Sequence, residues 1–178
     1  MSAQNLIGII TDENGQPMEF ATVSLRSLPD SSIVAGCITD AKGQFSIERK
    51  NAGDFIQISS IGYSTKNLPV SAFTTTQTIK MQIEASLLNE IVVSKTRPKT
   101  KLLGDAVVTT IEGSILEHAG NSLEVLAKVP GMISKNGSLE VIGRGTPVYY
   151  INGRKVNDDS ELRNLMSEDI KSIDVVSN

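Results

Sequence analysis

Short runs in which apolar and polar residues alternate fill the first half of the sequence and set the strongest limit on its fold. Ala21, Val23 and Leu25 alternate with polar residues, and so do Phe45 and Ile47. Successive side chains of a β-strand point to opposite faces, so each run encodes one apolar face and one wet face. Several such runs at spacings of about 8–12 residues, without a helical pattern between them, predict an all-β sandwich.

Two turns in this half repeat one another. "ITDENGQ" at Ile10–Gln16 and "ITDAKGQ" at Ile38–Gln44 share the pattern Ile-Thr-Asp-x-x-Gly-Gln. Aspartate is favoured at the first position of a type I turn and glycine at the fourth, so both copies predict tight connections between strands. A calcium-binding loop would need alternating oxygen ligands and a distal glutamate, which neither copy supplies.

The order of the motifs is more specific than the fold class. "IGIITDENGQPMEFATVSL" is followed by "TDAKGQFSI" and then by "FIQISSIGYSTKNLPV". This order closely resembles the carboxypeptidase-regulatory-like, transthyretin-like sandwich. The family pattern is filled by Gly8, Asp12, Gly15, Pro17, Thr39, Asp40, Gly43, Phe45, Gly62 and Tyr63. The resemblance implies such a domain over residues 1–87, a fold that by itself names no activity.

A change of composition after this half predicts a joint between two domains. The short β-prone run "LNEIVVS", Leu88–Ser94, is followed by a stretch rich in lysine, arginine and threonine that includes a proline. We expect a linker over residues 88–104. The β-prone run is either the last strand of the sandwich or an exposed segment that a partner's sheet captures by strand addition.

The second half begins with a strand and two helix starts. Val107–Ile111 is typical of a strand. Ser114 with Glu117 fits a capping box, and Asn121 with Glu124 places the same chemistry seven residues later. The sequence therefore predicts one helix from each cap.

Helix periodicity gives the second of these helices an apolar face. Leu123, Leu126 and Ala127 fall at positions i, i+3 and i+4, and Pro130-Gly131 follows as a stop signal. A third helix is expected near Asp158 or Asp159. Its apolar face is expected to carry Leu162, Leu165 and Met166. The closing run "IKSIDVVS" predicts a final strand.

Two Asn-Gly steps lie between these helices. They sit in "MISKNGSLEVIG" and in "PVYYINGRKV", each with strand-like residues on both sides. Asn-Gly between apolar strands is the strongest short-range signal for a hairpin, so both Asn136-Gly137 and Asn152-Gly153 are expected to be bends.

The order of these stretches carries a second family pattern. "SILEHAGNSLEVLAKVPGM" is followed by "IGRG", by "VYYINGRKV" and by "EDIKSIDVVSN". This order resembles the plug domain of TonB-dependent outer-membrane receptors and implies an α+β plug over residues 105–178. The positions that carry the plug motif are Pro130, Gly131, Arg144, Gly145, Asn152, Gly153 and Arg154.

Together the two resemblances imply a mixed architecture, in which an all-β sandwich precedes an α+β plug at the N-terminal end of such a receptor. The implied partners are a TonB-type energy-transducing protein and the receptor's own barrel, which is missing from this chain. The candidate TonB box is Glu90, Ile91, Val92, Val93 and Ser94. A barrel would need many alternating strands of about 10 residues with aromatic girdles. The chain has no Trp, 4 Phe and 3 Tyr.

The implied role is energised uptake of a nutrient of the siderophore, cobalamin or glycan class across the outer membrane. This segment would lie on the periplasmic side or inside the barrel lumen, and Arg154 would face the barrel or the ligand path. The alternative is a stand-alone adhesive or scaffold sandwich joined to an unrelated α/β domain.

Composition argues against other classes of function. A net charge of -3 argues against a general nucleic-acid binder. A single cysteine, Cys37, excludes an internal disulfide and a multi-cysteine zinc site. The one histidine, His118, has no second ligand or paired base that can be named, and "GRG" at Gly143–Gly145 lacks the Lys-Ser/Thr of a P-loop. We therefore expect no catalytic residue, no metal site, no cofactor and no enzymatic activity.

Overall fold

The structure, a computed structural model, describes residues 5–49, 53–74, 76–84, 97–135 and 138–176. It is mostly β with two short α-helices. The chain divides into two compact units, Met1–Ile91 and Val92–Asn178. No helix of the described ranges is long and apolar enough to cross a membrane.

The described residues of the first unit form seven strands in two sheets, in agreement with the predicted sandwich. One sheet has the order β4-β1-β7 and the other β3-β2-β5-β6. The strands are β1 Asn5–Thr11, β2 Thr22–Ser27, β3 Ser32–Ile38, β4 Gln44–Glu48, β5 Phe55–Ser59, β6 Lys66–Pro69 and β7 Gln77–Lys80, with a 3-10 turn at Val70–Ala72. Residues of both sheets share one apolar core, which makes the unit a β-sandwich.

The central strand β2 departs from the expected pattern of one dry and one wet face. Its core-facing residues are fully buried, but Thr22, Ser24 and Arg26 on the opposite face are also less than 8% exposed. The wet-face prediction is therefore wrong here, because β2 lies between β3 and β5. The Arg26 side chain stays on this face, where Nε donates to Ser24 Oγ at 3.2 Å and Nη1 donates to the Ser31 carbonyl at 3.2 Å.

In the second unit, the residues that the structure describes form an antiparallel three-stranded sheet, two hairpins and two short helices. The sheet has the order β14-β9-β8, and the hairpins are β10-β11 and β12-β13. The elements are β8 Thr100–Leu103, β9 Ala106–Thr110, α1 Ser122–Leu126, β10 Met132–Lys135, β11 Ser138–Val141, β12 Tyr150–Ile151, β13 Arg154–Lys155, α2 Asp159–Asn164 and β14 Ser172–Val176, with a 3-10 turn at Ser167–Asp169. The predicted strands at Val107–Ile111 and at the end of the chain are confirmed.

Strand β8 lies inside the stretch that the sequence predicts as linker. Thr100–Leu103 pairs antiparallel with β9, with Thr100 opposite Thr109 and Leu103 opposite Ala106. The stretch 88–104 predicted as linker thus contains a strand at its C-terminal end. This strand has only four residues, and its basic composition and the glycine that follows it are more typical of a linker than of a strand.

The helix predicted from Ser114 is wrong. The Ser114 hydroxyl donates to the Ile111 carbonyl at 2.6 Å and accepts from the Leu116 amide at 3.2 Å. The amide of Glu117 then bonds back only three residues, to the Ser114 carbonyl at 3.2 Å. Gly120, with φ of 109°, turns the chain soon afterwards. The segment therefore forms a series of turns, because too few residues lie between Ser114 and Gly120 for a regular helix.

Helix α1 exists where predicted but buries a different face. Ser122, Val125 and Leu126 are buried, whereas Ala127 is exposed. The prediction counted only apolar residues and so began the face at Leu123. Ser122 can be buried without an unpaired hydroxyl, because its Oγ donates to the Leu162 carbonyl of α2 at 2.5 Å.

Both remaining helix caps are confirmed. The Asn121 side chain accepts from the Glu124 amide at 3.1 Å. The Asp158 carboxylate accepts from the Ser160 amide at 3.0 Å and from the Ser160 hydroxyl at 2.7 Å. These hydrogen bonds, led by that of the hydroxyl, lower the pKa of the Asp158 carboxyl. The predicted place of Met166 on the α2 face is wrong, since α2 ends at Asn164 and Met166 is 51% exposed.

Candidate functional site

The candidate TonB box lies outside the described residues. This holds for all five of its positions, Glu90, Ile91, Val92, Val93 and Ser94. The Asn136-Gly137 bend also lies outside them, although β10 and β11 pair as an antiparallel hairpin with Lys135 opposite Ser138. The role of the candidate box therefore stays a prediction.

The Pro130-Gly131 motif forms the turn that leads from α1 into β10. Pro130 is buried, and Gly131 has a φ of 84°, a region that glycine enters without strain. A Cβ at Gly131 would lie 3.7 Å from Val175 of β14, so the turn packs against the sheet. The amide of Ile142 donates to the Gly131 carbonyl at 2.9 Å. This bond connects the first motif to the second.

The second motif, Arg144-Gly145, lies in a tight turn after β11. The Arg144 amide donates to the Val141 carbonyl at 3.0 Å, and the Val141 amide donates to the Gly145 carbonyl at 2.8 Å. Gly143 and Gly145 both have positive φ, 73° and 81°. "GRG" at Gly143–Gly145 therefore forms a turn, and Arg144 within it is exposed.

The third motif is the hairpin β12-β13. Tyr150 pairs with Lys155 and Ile151 pairs with Arg154. Asn152 and Gly153 have φ values of 50° and 79°. Two consecutive left-handed residues between paired strands are the signature of a type I′ turn, so the predicted bend is confirmed.

Arg154 extends from this hairpin to helix α2. Its guanidinium forms an ion pair with Glu161. The Arg154 side chain is 63% exposed and that of Glu161 is 36% exposed. Exposed pairs of this kind contribute about 0.2–1 kcal/mol, so the contact orients the arginine more than it stabilises the unit. Whether Arg154 faces a barrel or a ligand path stays a prediction.

Two buried serines that the sequence patterns above did not predict, Ser122 and Ser167, form what we call the serine clasp. The Ser122 hydroxyl donates to Leu162 across the two helices, as described above. The Ser167 hydroxyl donates to the Glu117 carbonyl at 2.8 Å and accepts from the Gly120 amide at 3.3 Å. The clasp thus joins the chain around residues 117–122 to the chain around residues 162–167. For Ser122, its helical spacing to Val125 and Leu126 was the available signal.

The described residues offer little reactive chemistry. None of them form a group of three or more His, Cys, Asp or Glu side chains that could hold a metal ion. Cys37 lies half-buried on β3, and burial raises the pKa of its thiol to about 11, so the nucleophilic thiolate is scarce at neutral pH. His118 Nδ1 lies 3.1 Å from Glu168 Oε1, and both side chains are more than half exposed.

Residues 6–93 match the family model of the CarboxypepD_reg-like domain. The first half of the chain belongs to this family. The turns around Asp12 and Asp40 explain two of its motif positions. Asp12 Oδ1 accepts from the amides of Asn14 and Gln16, and Asp40 Oδ1 accepts from the equivalent amides in the second copy, all at 2.8–2.9 Å. The repeated sequence of this CarboxypepD_reg-like domain therefore forms the same hydrogen-bonded turn twice.

Curated relatives extend the comparison to the whole chain. The chain is 28% identical over 194 residues to TonB-dependent receptor P26 of Formosa agariphila, which covers 99% of this chain and 19% of that protein. It is 34% identical over 86 residues to TonB-dependent receptor SusC of Bacteroides thetaiotaomicron, which covers 48% of this chain and 8% of that protein. The chain thus spans less than a fifth of the length of either relative. The resemblance to TonB-dependent receptors is confirmed.

A solved structure shows a more distant likeness. The crystal structure of the major pilin subunit of Bacillus cereus aligns over 87% of this chain and 48% of the pilin chain, with a TM-score of 0.34 and 16% identity. At this distance the pilin does not bear on the fold or the function.

Proposed function

We propose that the chain is the N-terminal part of a TonB-dependent outer-membrane receptor, with the CarboxypepD_reg-like domain as a periplasmic extension and the second unit as the plug. The observation that carries this proposal is the match to receptor P26 over 99% of the chain, which includes the second unit. The Pro130-Gly131 turn packs against β14, and Arg154 of the third motif pairs with Glu161 of α2, so these candidate plug residues make contacts within the unit.

The role that follows is energised uptake of a nutrient across the outer membrane. The plug closes the receptor's barrel at rest, and a TonB-type protein acts on the chain at the periplasmic side. The nutrient belongs to the siderophore, cobalamin or glycan class. The segment Leu88–Ser94 is the contact with the TonB-type protein, because strand addition uses the backbone of a β-prone segment for affinity.

A binding measurement on the purified full chain tests this proposal. We expect the chain to bind the C-terminal domain of a TonB-type protein. Ile91→Pro is expected to weaken this binding at least tenfold, since proline has no N–H to donate to a partner strand. Ile91→Val keeps both the N–H and the β-branched side chain and is the matched control.

Three outcomes separate the alternatives. Loss of binding with Ile91→Pro at an unchanged unfolding temperature supports the proposal. Absence of binding by the unmodified chain contradicts it and favours the adhesive or scaffold alternative. A fall in the unfolding temperature of the first unit with Ile91→Pro identifies Leu88–Ser94 as a strand of the sandwich and contradicts its assignment as the contact.

A further inference from the structure

Within the part of the chain that the structure describes, strand β8 pairs with a single strand and buries none of its side chains. Among the described residues, β9 is the strand with which it pairs. None of its four side chains is buried: Thr100 is half-buried, Lys101 is exposed, and Leu102 and Leu103 are 60% and 64% exposed. The ladder therefore receives almost no support from apolar burial.

The other neighbour of β9 is anchored more firmly. β14 pairs with β9 through five residue pairs. It buries Val175, which is 7% exposed, and it half-buries Ile173. Just before β14, the Lys171 carbonyl accepts from the amide of Ile111, a fully buried residue, at 2.8 Å. The two strands that flank β9 thus differ in how much apolar side chain they bury: β14 buries Val175, and β8 buries none.

The segments around α1 and α2 are joined by hydrogen bonds in which β8 takes no part. The serine clasp joins the residues around α1 to those around α2, and backbone bonds reinforce it. The Ser122 amide donates to the Leu165 carbonyl at 2.8 Å, and the Ser167 amide donates to the Gly120 carbonyl at 2.9 Å. None of these bonds involves a residue of β8.

We propose that β8 is a releasable strand, which detaches from β9 while the rest of the second unit stays folded. Segments with few buried contacts open locally at a lower free energy than the core. Release of β8 and of the turn after it would free residues 99–105. Seven extended residues span roughly 23 Å, so the stretch of chain that precedes β9 would lengthen by up to about that distance. The inference rests on burial and pairing alone and stands apart from the proposed function.

Amide hydrogen exchange on the full chain, followed by NMR, tests this proposal. The Thr110 amide donates to the Lys99 carbonyl at 2.9 Å, and antiparallel ladders alternate, so the amides of Lys101 and Leu103 point towards β9. By the same alternation, the bond from Ile111 to Lys171 directs the amides of Ile173 and Val175 towards β9. Exchange at Lys101 and Leu103 therefore reports on the β8 ladder, and exchange at Ile173 and Val175 reports on the β14 ladder.

The expected result is that the protection factors of Lys101 and Leu103 are at least tenfold lower than those of Ile173 and Val175. A smaller difference means that both edges open together, and it overturns the proposal.

Val125→Ala provides a second readout, because Val125 is fully buried in α1 and its truncation destabilises the core of the unit. Its substitution should lower protection at β14 and leave protection at β8 unchanged. A parallel fall at all four amides contradicts local release.

A disulfide lock gives a test with an internal control. The hydroxyls of Thr100 and Thr109 lie 3.3 Å apart across the two strands. This pair is not hydrogen-bonded through its backbone, and Cα atoms of such pairs lie about 4.5 Å apart, within the range of a disulfide. Thr100→Cys with Thr109→Cys, combined with Cys37→Ala, is compared oxidised and reduced. Oxidation should raise the protection of Lys101 and Leu103 at least tenfold, and an unchanged value contradicts the proposal.

Discussion

Two glycines with the same backbone conformation have different amounts of space. Gly15 and Gly43 occupy the same position in the two echoed turns, with φ of 81° and 69°. A Cβ at Gly15 would meet open space, whereas a Cβ at Gly43 would lie 2.4 Å from the Ile10 carbonyl oxygen. The second turn therefore packs against the end of β1, and its glycine is required for space as well as for conformation.

This difference predicts unequal losses of stability. Gly15→Ala should lower the free energy of unfolding by about 1–2 kcal/mol, the cost of a left-handed alanine. Gly43→Ala should cost at least about 1 kcal/mol more, because crowding of a packed backbone adds to that strain. Urea unfolding of the full chain, followed through the first unit, measures both. Equal losses in the two variants would show that the backbone at Ile10 moves away from the new Cβ without a cost in free energy.

Thr39 shows a second residue-scale asymmetry between the two copies. Its hydroxyl is buried, donates to the Met18 carbonyl at 2.6 Å and accepts from the Ala21 amide at 2.8 Å. Thr11, at the same position of the first copy, is only half-buried. The hydroxyl of Thr39 thus ties the chain between β1 and β2 to the end of β3.

We expect Thr39→Val to lower the free energy of unfolding by about 1–3 kcal/mol, since it leaves a buried carbonyl and a buried amide unpaired. Thr11→Val is the control and should change it by less than about 0.5 kcal/mol. Thermal or urea unfolding of both variants checks the prediction. A loss at Thr11 as large as that at Thr39 would contradict the assigned role of the buried hydroxyl.

At the scale of elements, the sequence predicts the sandwich better than the second unit. Alternation located β2 and β4, because each buries one regular face against the shared core. Strand β3 is half-buried along its whole length and shows no such face. In the second unit, Ser114 carries a valid capping signal, but its hydroxyl serves a turn instead of a helix. Strand β8 was missed because its residues are exposed and its pairing with β9, joined through Gly104, leaves no apolar pattern in the sequence.

The serine clasp gives an element-scale prediction for the second unit. Ser167→Ala removes a buried donor to Glu117 and the acceptor of the Gly120 amide. We expect a loss of about 1–2 kcal/mol in the free energy of unfolding of the second unit. Ser172→Ala, at an exposed position of β14, is the control and should have little effect. If both substitutions cost the same, the clasp does not hold the two segments together.

At the scale of the whole molecule, the sequence predicts the family but not the partner contact. The motif order of both halves identified the relatives, because each motif residue meets a specific need such as the left-handed turn at Gly43 or the hairpin at Asn152-Gly153. The role of the candidate box at Glu90–Ser94 stays a prediction. Strand addition relies on backbone hydrogen bonds that any β-prone sequence can supply, so the sequence alone does not distinguish a partner contact from a strand of the sandwich.

We propose that the chain contacts a TonB-type protein through Leu88–Ser94. An NMR titration of the isotope-labelled full chain with the C-terminal domain of a TonB-type protein tests this contact. We expect chemical shift changes to concentrate at Leu88–Ser94, while the core amides of both units keep their chemical shifts. Changes concentrated elsewhere, or no change at saturating partner, would contradict it.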